Sequence, residues 1–201
     1  MLCEKGGKIM KKLMHFLGCL LMVMAMAVTA LPREVRAEFP ERPVGFVVID
    51  QDGDVDGNVY KTWRQVVKWA YHFPYYQIID GGAPQELVSD AVRTGGKLEQ
   101  ASLKALAEKS KVDVLVVARV YELDEYIVNS GVFRDDADTY VKTSACADLF
   151  VYKKDGDKFL KKKLRERHLR EMGNVEHPEE TIKWELSKIV NTMEGRPLIG
   201  A

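Results

Sequence analysis

The chain has 201 residues, of which 46% are hydrophobic and 30% charged, with 30 Lys and Arg balancing 30 Asp and Glu. That apolar content excludes a disordered chain and is enough to bury a proper core. The neutral balance lacks the positive excess on which nucleic-acid binding depends.

The charge is unevenly placed. Lys11 and Lys12 precede an uncharged run from Leu13 to Ala30, 18 residues long, and two small-residue sites, Val28-Thr29-Ala30 and Val35-Arg36-Ala37, follow. A basic start, an apolar stretch and such sites read as an export signal. The run also approaches the length of a membrane-spanning helix, so a retained anchor is the alternative. Cleavage after Ala37 is favoured because it leaves Glu38 just ahead of Phe39-Pro40-Glu41-Arg42-Pro43, a proline-punctuated entry into the first strand. The expected organisation is a signal peptide over 1–37 and one α/β domain over 38–201. Without Lys5, Lys8, Lys11, Lys12, Arg33, Arg36, Glu4 and Glu34, 24 basic and 28 acidic residues remain, a net charge of −4. Such a domain suits neither nucleic acid nor an anionic membrane, and touches a bilayer only through an uncleaved leader. Cys3 and Cys19 go with the leader. Cys146 is left alone, with no intramolecular disulfide, and Ser144-Ala145-Cys146-Ala147 reads as core packing.

Hydrophobic periodicity sets out the elements in order. Val44 to Ile49 is a short apolar run that reads as a buried strand, and an acidic loop, Asp50 to Asn58, follows. Val59, Trp63, Val66, Val67 and Ala70 recur at helical spacing until Phe73-Pro74 stops them. Tyr75 to Ile79 predicts a second strand. Ala83-Pro84 opens a helix with Leu87, Val88, Ala91 and Val92 on one face, and Thr94-Gly95-Gly96 ends it. Leu103, Leu106 and Ala107 mark a third helix before Lys111. Val114 to Val120, the most hydrophobic stretch after the leader, is expected at the centre of the sheet.

After Tyr121 long strand-like segments take over, with Asp135-Asp136-Ala137-Asp138 as a polar turn and Tyr140 to Tyr152 alternating imperfectly. Lys154-Asp155-Gly156-Asp157 is a hairpin signal, since Asp-Gly supplies the positive backbone angles of a tight turn. It sends the chain back antiparallel through Phe159 to His168. Leu160, Leu164 and His168 also fit a helix face, so residues 158–170 stay open between strand, which is preferred, and helix. The last helix has Pro178 near its start, Ile182, Leu186, Ile189, Val190 and Met193 as its stripe, and Gly195 as its stop. The fold class is α/β: a mixed sheet with a parallel core and a C-terminal antiparallel hairpin, flanked by helices.

The helix Leu103-Lys104-Ala105-Leu106-Ala107-Glu108-Lys109, leading into Val112-Asp113-Val114-Leu115-Val116-Val117-Ala118-Arg119-Val120, carries a resemblance. With the Asp-Gly hairpin and closing helix of Tyr140 to Met193, it resembles the TolB N-terminal domain and the soluble domain of CsgG-like curli-secretion lipoproteins. The resemblance implies an envelope-associated binding or assembly module.

Asp50-Gln51-Asp52-Gly53-Asp54-Val55-Asp56-Gly57-Asn58-Val59 is the strongest chemical motif. Asp52, Asp54 and Asp56 stand at alternate positions, as carboxylates that wrap calcium do. From Asp52, however, the twelfth position is Trp63 where a calcium loop has a bidentate acid, and a strand precedes the loop in place of a helix. The competing reading is a strand-to-helix connection in which Asp56 or Asn58 caps the helix.

Trp63, Trp69, Tyr71, Phe73, Tyr75 and Tyr76 crowd one region, with His72 among them. Core packing accounts for most of them, and Trp69 is the one expected at the surface. His72, His168 and His177 show no metal-ligand spacing, and Ser130 and Ser144 sit in no nucleophile elbow. Lys161, Lys162, Lys163, Arg165, Arg167 and Arg170 form a basic run that reads either as a solvated face or as a grip on an anionic polymer. The sequence therefore points to an exported bacterial-type protein of the periplasm, cell envelope or medium. It acts as a non-catalytic module that contacts an envelope protein or cell-wall component through Trp69 and Lys161, Lys162 and Lys163. A calcium-dependent module built on the acidic loop and an envelope enzyme of unknown class are the alternatives, and calcium is the only cofactor in view.

Overall fold

The first strand, β1 (Arg42–Asp50), buries Val44 to Val47, because it lies between two parallel neighbours with helices on both faces. Those neighbours are β2 (Tyr76–Asp80) and the first part of β3 (Val114–Asn129), with Val44 opposite both Ile78 and Val114. β3 then pairs antiparallel with β4 (Thr139–Lys153), which pairs antiparallel with β5 (Lys158–Glu171). The sheet order is β2-β1-β3-β4-β5, so β3 is central and β2 and β5 are the edges. The computed structural model describes residues 41–51, 53–72, 75–129, 139–171 and 176–196, and these belong to one compact unit. The signal peptide expected over 1–37 and the turn expected at Asp135-Asp136-Ala137-Asp138 lie outside the described residues.

Among the described residues four helices make the outer layers: α1 (Gly57–Ala70), α2 (Gly82–Arg93), α3 (Gln100–Ser110) and α4 (Pro178–Met193). α1 and α4 share one face with Val44, Phe46, Val116, Ala118, Leu149 and Val151. Trp63 lies fully buried between them, and its indole N–H donates to the Glu179 carbonyl at 3.0 Å. α2 and α3 cover the other face over Val47, Leu115 and Val117. There a Cβ on Gly45 would sit 3.1 Å from Pro84 Cβ, so the absent side chain is what lets α2 approach β1. None of the helices among the described residues is long and apolar enough to cross a membrane.

The local signals act as their chemistry requires. Asp56 caps α1, its Oδ1 accepting the N–H groups of Asn58 at 2.7 Å and Val59 at 2.8 Å. Lys111 ends α3 in the left-handed region, at φ 58°. Gly156 and Asp157 take positive φ, 78° and 48°, in the β4–β5 turn, which the Asp157 N–H closes onto the Lys154 carbonyl. Residues 158–171 are strand throughout. The spacing of four that left a helix open is even, so it also places Leu160 and Leu164 on one face of a strand, where both pack against the α1/α4 core.

Candidate binding surface

On the α2/α3 side the apolar layer stops at Phe150 and Tyr152 of β4 and Phe159 of β5. Beyond that row the same face continues as a polar surface of β3, β4 and β5. Asp148 is its anchor. Only 6% of this residue is exposed, on a strand otherwise buried from Thr143 to Tyr152. Its carboxylate accepts Arg165 Nη2 at 2.7 Å and the Tyr121 hydroxyl at 3.2 Å, and Lys161 Nζ stands 3.9 Å away. Arg165 Nη1 also donates to the Ala147 carbonyl at 2.8 Å.

Tyr121 reaches Asp148 because the β3–β4 register slips between Val120 and Glu122, a bulge that makes Tyr121 the extra residue and re-aims its ring. The Arg119 and Arg165 guanidiniums then stand 4.9 and 4.8 Å from the ring centroid. Burial raises the Tyr121 phenol above its ordinary range, and Asp148 adds to the shift. Further out, Glu122 pairs with Arg167. Lys161 lies 4.8 Å over the Phe150 ring, and Lys142 lies 5.2 Å over Tyr126.

Strand alternation splits the lysine run. Lys161 faces Phe150 and Asp148, whereas Lys162 points to the opposite side and meets Glu185 of α4 at 3.3 Å. Glu185 also pairs with Lys188 at 2.6 Å. Lys163, on the same side as Lys161, is exposed and has no ion-pair partner among the described residues. Both buried carboxylates, Asp148 and Glu185, thus serve two cations each, and the β5 region stays positive after pairing. Between β5 and α4 runs an open groove of about 280 Å³ whose walls include Leu160, Lys162, Glu185, Lys188, Ile189 and Thr192. It is open to solvent, and its volume lies near the lower end of the roughly 300–1,000 Å³ of small-molecule pockets.

Trp69 is 68% exposed, as expected of it. It stands on α1, which follows β1, and two strands separate β1 from the β5 lysines. The three lysines are themselves divided between the two sides of β5, Lys161 and Lys163 on the α2/α3 side and Lys162 against Glu185 of α4. In the acidic loop, Asp50 accepts Gly53 N–H at 3.1 Å and Val55 N–H at 2.8 Å, while Asp56 caps α1. Asp54 is half-buried beside them, and Asp52 lies outside the described residues. The loop stands at the carboxyl end of β1, the end of the parallel strands where open α/β sheets most often hold ligands.

Glu125 of β3, His177 and Glu179 of α4 offer one ligand atom each, all within 4.8 Å of one another. His177 Nδ1 and Glu125 Oε2 are 2.6 Å apart, and hydrogen bonding to Glu125 raises the imidazole pKa. One nitrogen and two carboxylate oxygens is a donor set that could hold a zinc-like ion. The histidine spacing hides it, since the set joins residues 52 positions apart. For bond-making chemistry the geometry offers less. Among the described residues, His168 and His177 hydrogen-bond Glu166 and Glu125, and no serine, threonine or cysteine. Cys146 is buried and burial raises its pKa, the opposite of an activated thiolate.

The Glu122–Arg167 pair predicts a pH response of this surface. Hydrogen bonding to Arg167 holds the Glu122 carboxyl below its ordinary range. A depressed carboxylate stabilises the fold above the unfolded-state pKa of about 4.3, and that contribution is lost as pH falls through the folded value. Between pH 5 and pH 3 the melting temperature of the parent is expected to fall more steeply than that of Glu122→Gln. Parallel slopes would show that the pair adds nothing.

No family model and no curated protein matches the chain. Among solved structures it is similar to the hypothetical protein CT253 of Chlamydia trachomatis, at 8% identity and a TM-score of 0.41 over 77% of this chain and 95% of that one. Lipoprotein GNA1162 of Neisseria meningitidis is 13% identical with a TM-score of 0.34, over 77% and 99%. A PelC dodecamer of Paraburkholderia phytofirmans is 7% identical with a TM-score of 0.35, over 75% and 85%. Neither TolB nor a CsgG-like protein is among these three. Scores this low supply no argument for what the chain does, which rests on its own residues.

Proposed function

We propose that this chain is an exported envelope protein that works by contact, without catalysis, through the cationic β4–β5 end of its sheet. The leader pattern of Lys11 to Ala37 supports export. One observation carries the choice of surface. The β4–β5 half of the α2/α3 face carries, where a helix would cover an apolar sheet, a polar surface anchored on Asp148 with Lys161, Lys163, Arg165 and Arg167 outward. In a domain expected to carry net negative charge, this local positive excess selects an acidic partner surface. The favoured partner is another envelope protein.

A photoreactive residue at position 163, compared with one at position 86 on α2, tests this in the native cell. A discrete cross-linked protein is expected from position 163 and not from 86, and the double variant Lys161→Glu/Arg167→Glu should remove it. Identical products from both positions, or none from 163, would overturn the proposal. Fractionation of the same cells, with the mature N-terminus read by sequencing, tests the export half. Recovery of the intact leader in the cytosol contradicts it.

A further inference from the structure

We infer that the open edge of β5 takes up an extended acidic segment of a partner protein as an added strand, seated in the groove against α4. This rests on the reading of the β4–β5 end as the contact surface, and it specifies how contact is made and what the partner brings. β5 is an edge strand of 14 residues, paired on one side to β4 from Lys153↔Lys158 to Tyr140↔Glu171. Its other side presents backbone N–H and C=O groups in a row, and no strand among the described residues pairs with them. Such an edge recruits whatever extended chain fits it, main-chain hydrogen bonds supplying affinity and side-chain pockets supplying selectivity.

Charge decides the occupant. β5 carries Lys158, Lys161, Lys162, Lys163, Arg165, Arg167 and Arg170 against Glu166 and Glu171, so a second copy of β5 would bring the same strong positive excess to the pairing. An acidic strand meets the reverse. The two sides of β5 also differ. Toward α4, the groove has Leu160 and Ile189 as apolar walls, with Lys162 and Lys188 sharing Glu185. On the opposite side Lys161 and Arg165 share Asp148, and Lys163 has no such partner. Because strand side chains alternate, the fitting segment is itself alternating: apolar residues toward α4, acidic residues toward Lys163 and its neighbours.

Fluorescent eight-residue peptides of alternating Glu and Val test this, with two controls. One control is N-methylated at every residue, which keeps the charge but removes the backbone N–H donors of both edges. The other replaces Glu by Lys. With the purified full chain the Glu-Val peptide is expected to bind and to slow amide exchange along β5. The N-methylated peptide should bind at least tenfold more weakly, and the Lys peptide not at all. Lys163→Glu should weaken binding of the Glu-Val peptide severalfold, and Lys163→Gln, which puts no like charge opposite Asp148, should weaken it in the same direction. Equal binding of the methylated and unmethylated peptides, both lost in Lys163→Glu, would overturn strand addition and leave the cationic contact surface standing. No binding of the Glu-Val peptide overturns it as well. If the position-163 cross-link is absent too, the contact surface falls with it.

Discussion

Trp63→Ala is expected to be among the most destabilising single changes in the described fold, costing about 3–5 kcal/mol by the usual cost of emptying a large buried aromatic site. Trp63 is fully buried between α1 and α4, so truncation leaves a cavity lined by side chains of two helices and the sheet. It also leaves the Glu179 carbonyl in the first turn of α4 without the indole donor. At roughly 2–4 °C per kcal/mol for a domain of this size, the melting temperature should fall by about 6–20 °C. Trp63→Phe fills most of the space but cannot donate. Its expected loss is nearer the net value of a hydrogen bond, about 1 kcal/mol. Thermal melts of the three proteins settle the matter. A parent-like melt for the alanine variant would mean that Trp63 does not join α1 to α4.

The fold was largely readable because each boundary has a local chemical cause. Asp56, Pro84, Gly95, Pro178 and Gly195 stand where helices start or stop, and Asp155-Gly156 turns the hairpin. Val114 to Val120 reads as central because only a strand covered on both faces can be apolar without alternation, and β3 does take the middle place. The β5 segment was ambiguous for a reason of number, a spacing of four satisfying both periods. The binding surface was less readable. A basic run in sequence looks like one patch, but strand geometry sends Lys162 to α4 and Lys161 to Asp148. The Tyr121 bulge has no glycine or proline to announce it. Asp148 did leave a signal, as the one acid within the run from Val141 to Val151. A lone carboxylate in a strand that is otherwise buried must find cations or hydrogen-bond donors, and here it gathers Tyr121, Lys161 and Arg165. Glu185 left a weaker one, interrupting the apolar stripe of α4.

Asp148→Asn tests whether that carboxylate organises the surface. The amide keeps the size and one acceptor but loses the charge that draws Arg165 at 2.7 Å and Lys161 at 3.9 Å. Leaving such donors with a weaker partner costs about 1–3 kcal/mol, moderated here because Arg165 is half-exposed and can turn to water. The sharper readout is Tyr121. Its phenol is raised first by burial and second by the Asp148 charge, while Arg119 and Arg165 pull the other way. Removing the carboxylate takes away the second cause and leaves the first, so Tyr121 should titrate at lower pH than in the parent. Absorbance titration of phenolate, with Tyr121→Phe to identify the band, measures this directly. An unchanged Tyr121 titration would mean that the hydroxyl does not hold Asp148 in solution. The ring between two guanidiniums would then be a packing feature alone. If the shift appears, the same variant should also weaken the position-163 cross-link, because Arg165 and Lys161 would no longer be held in a fixed array facing the partner.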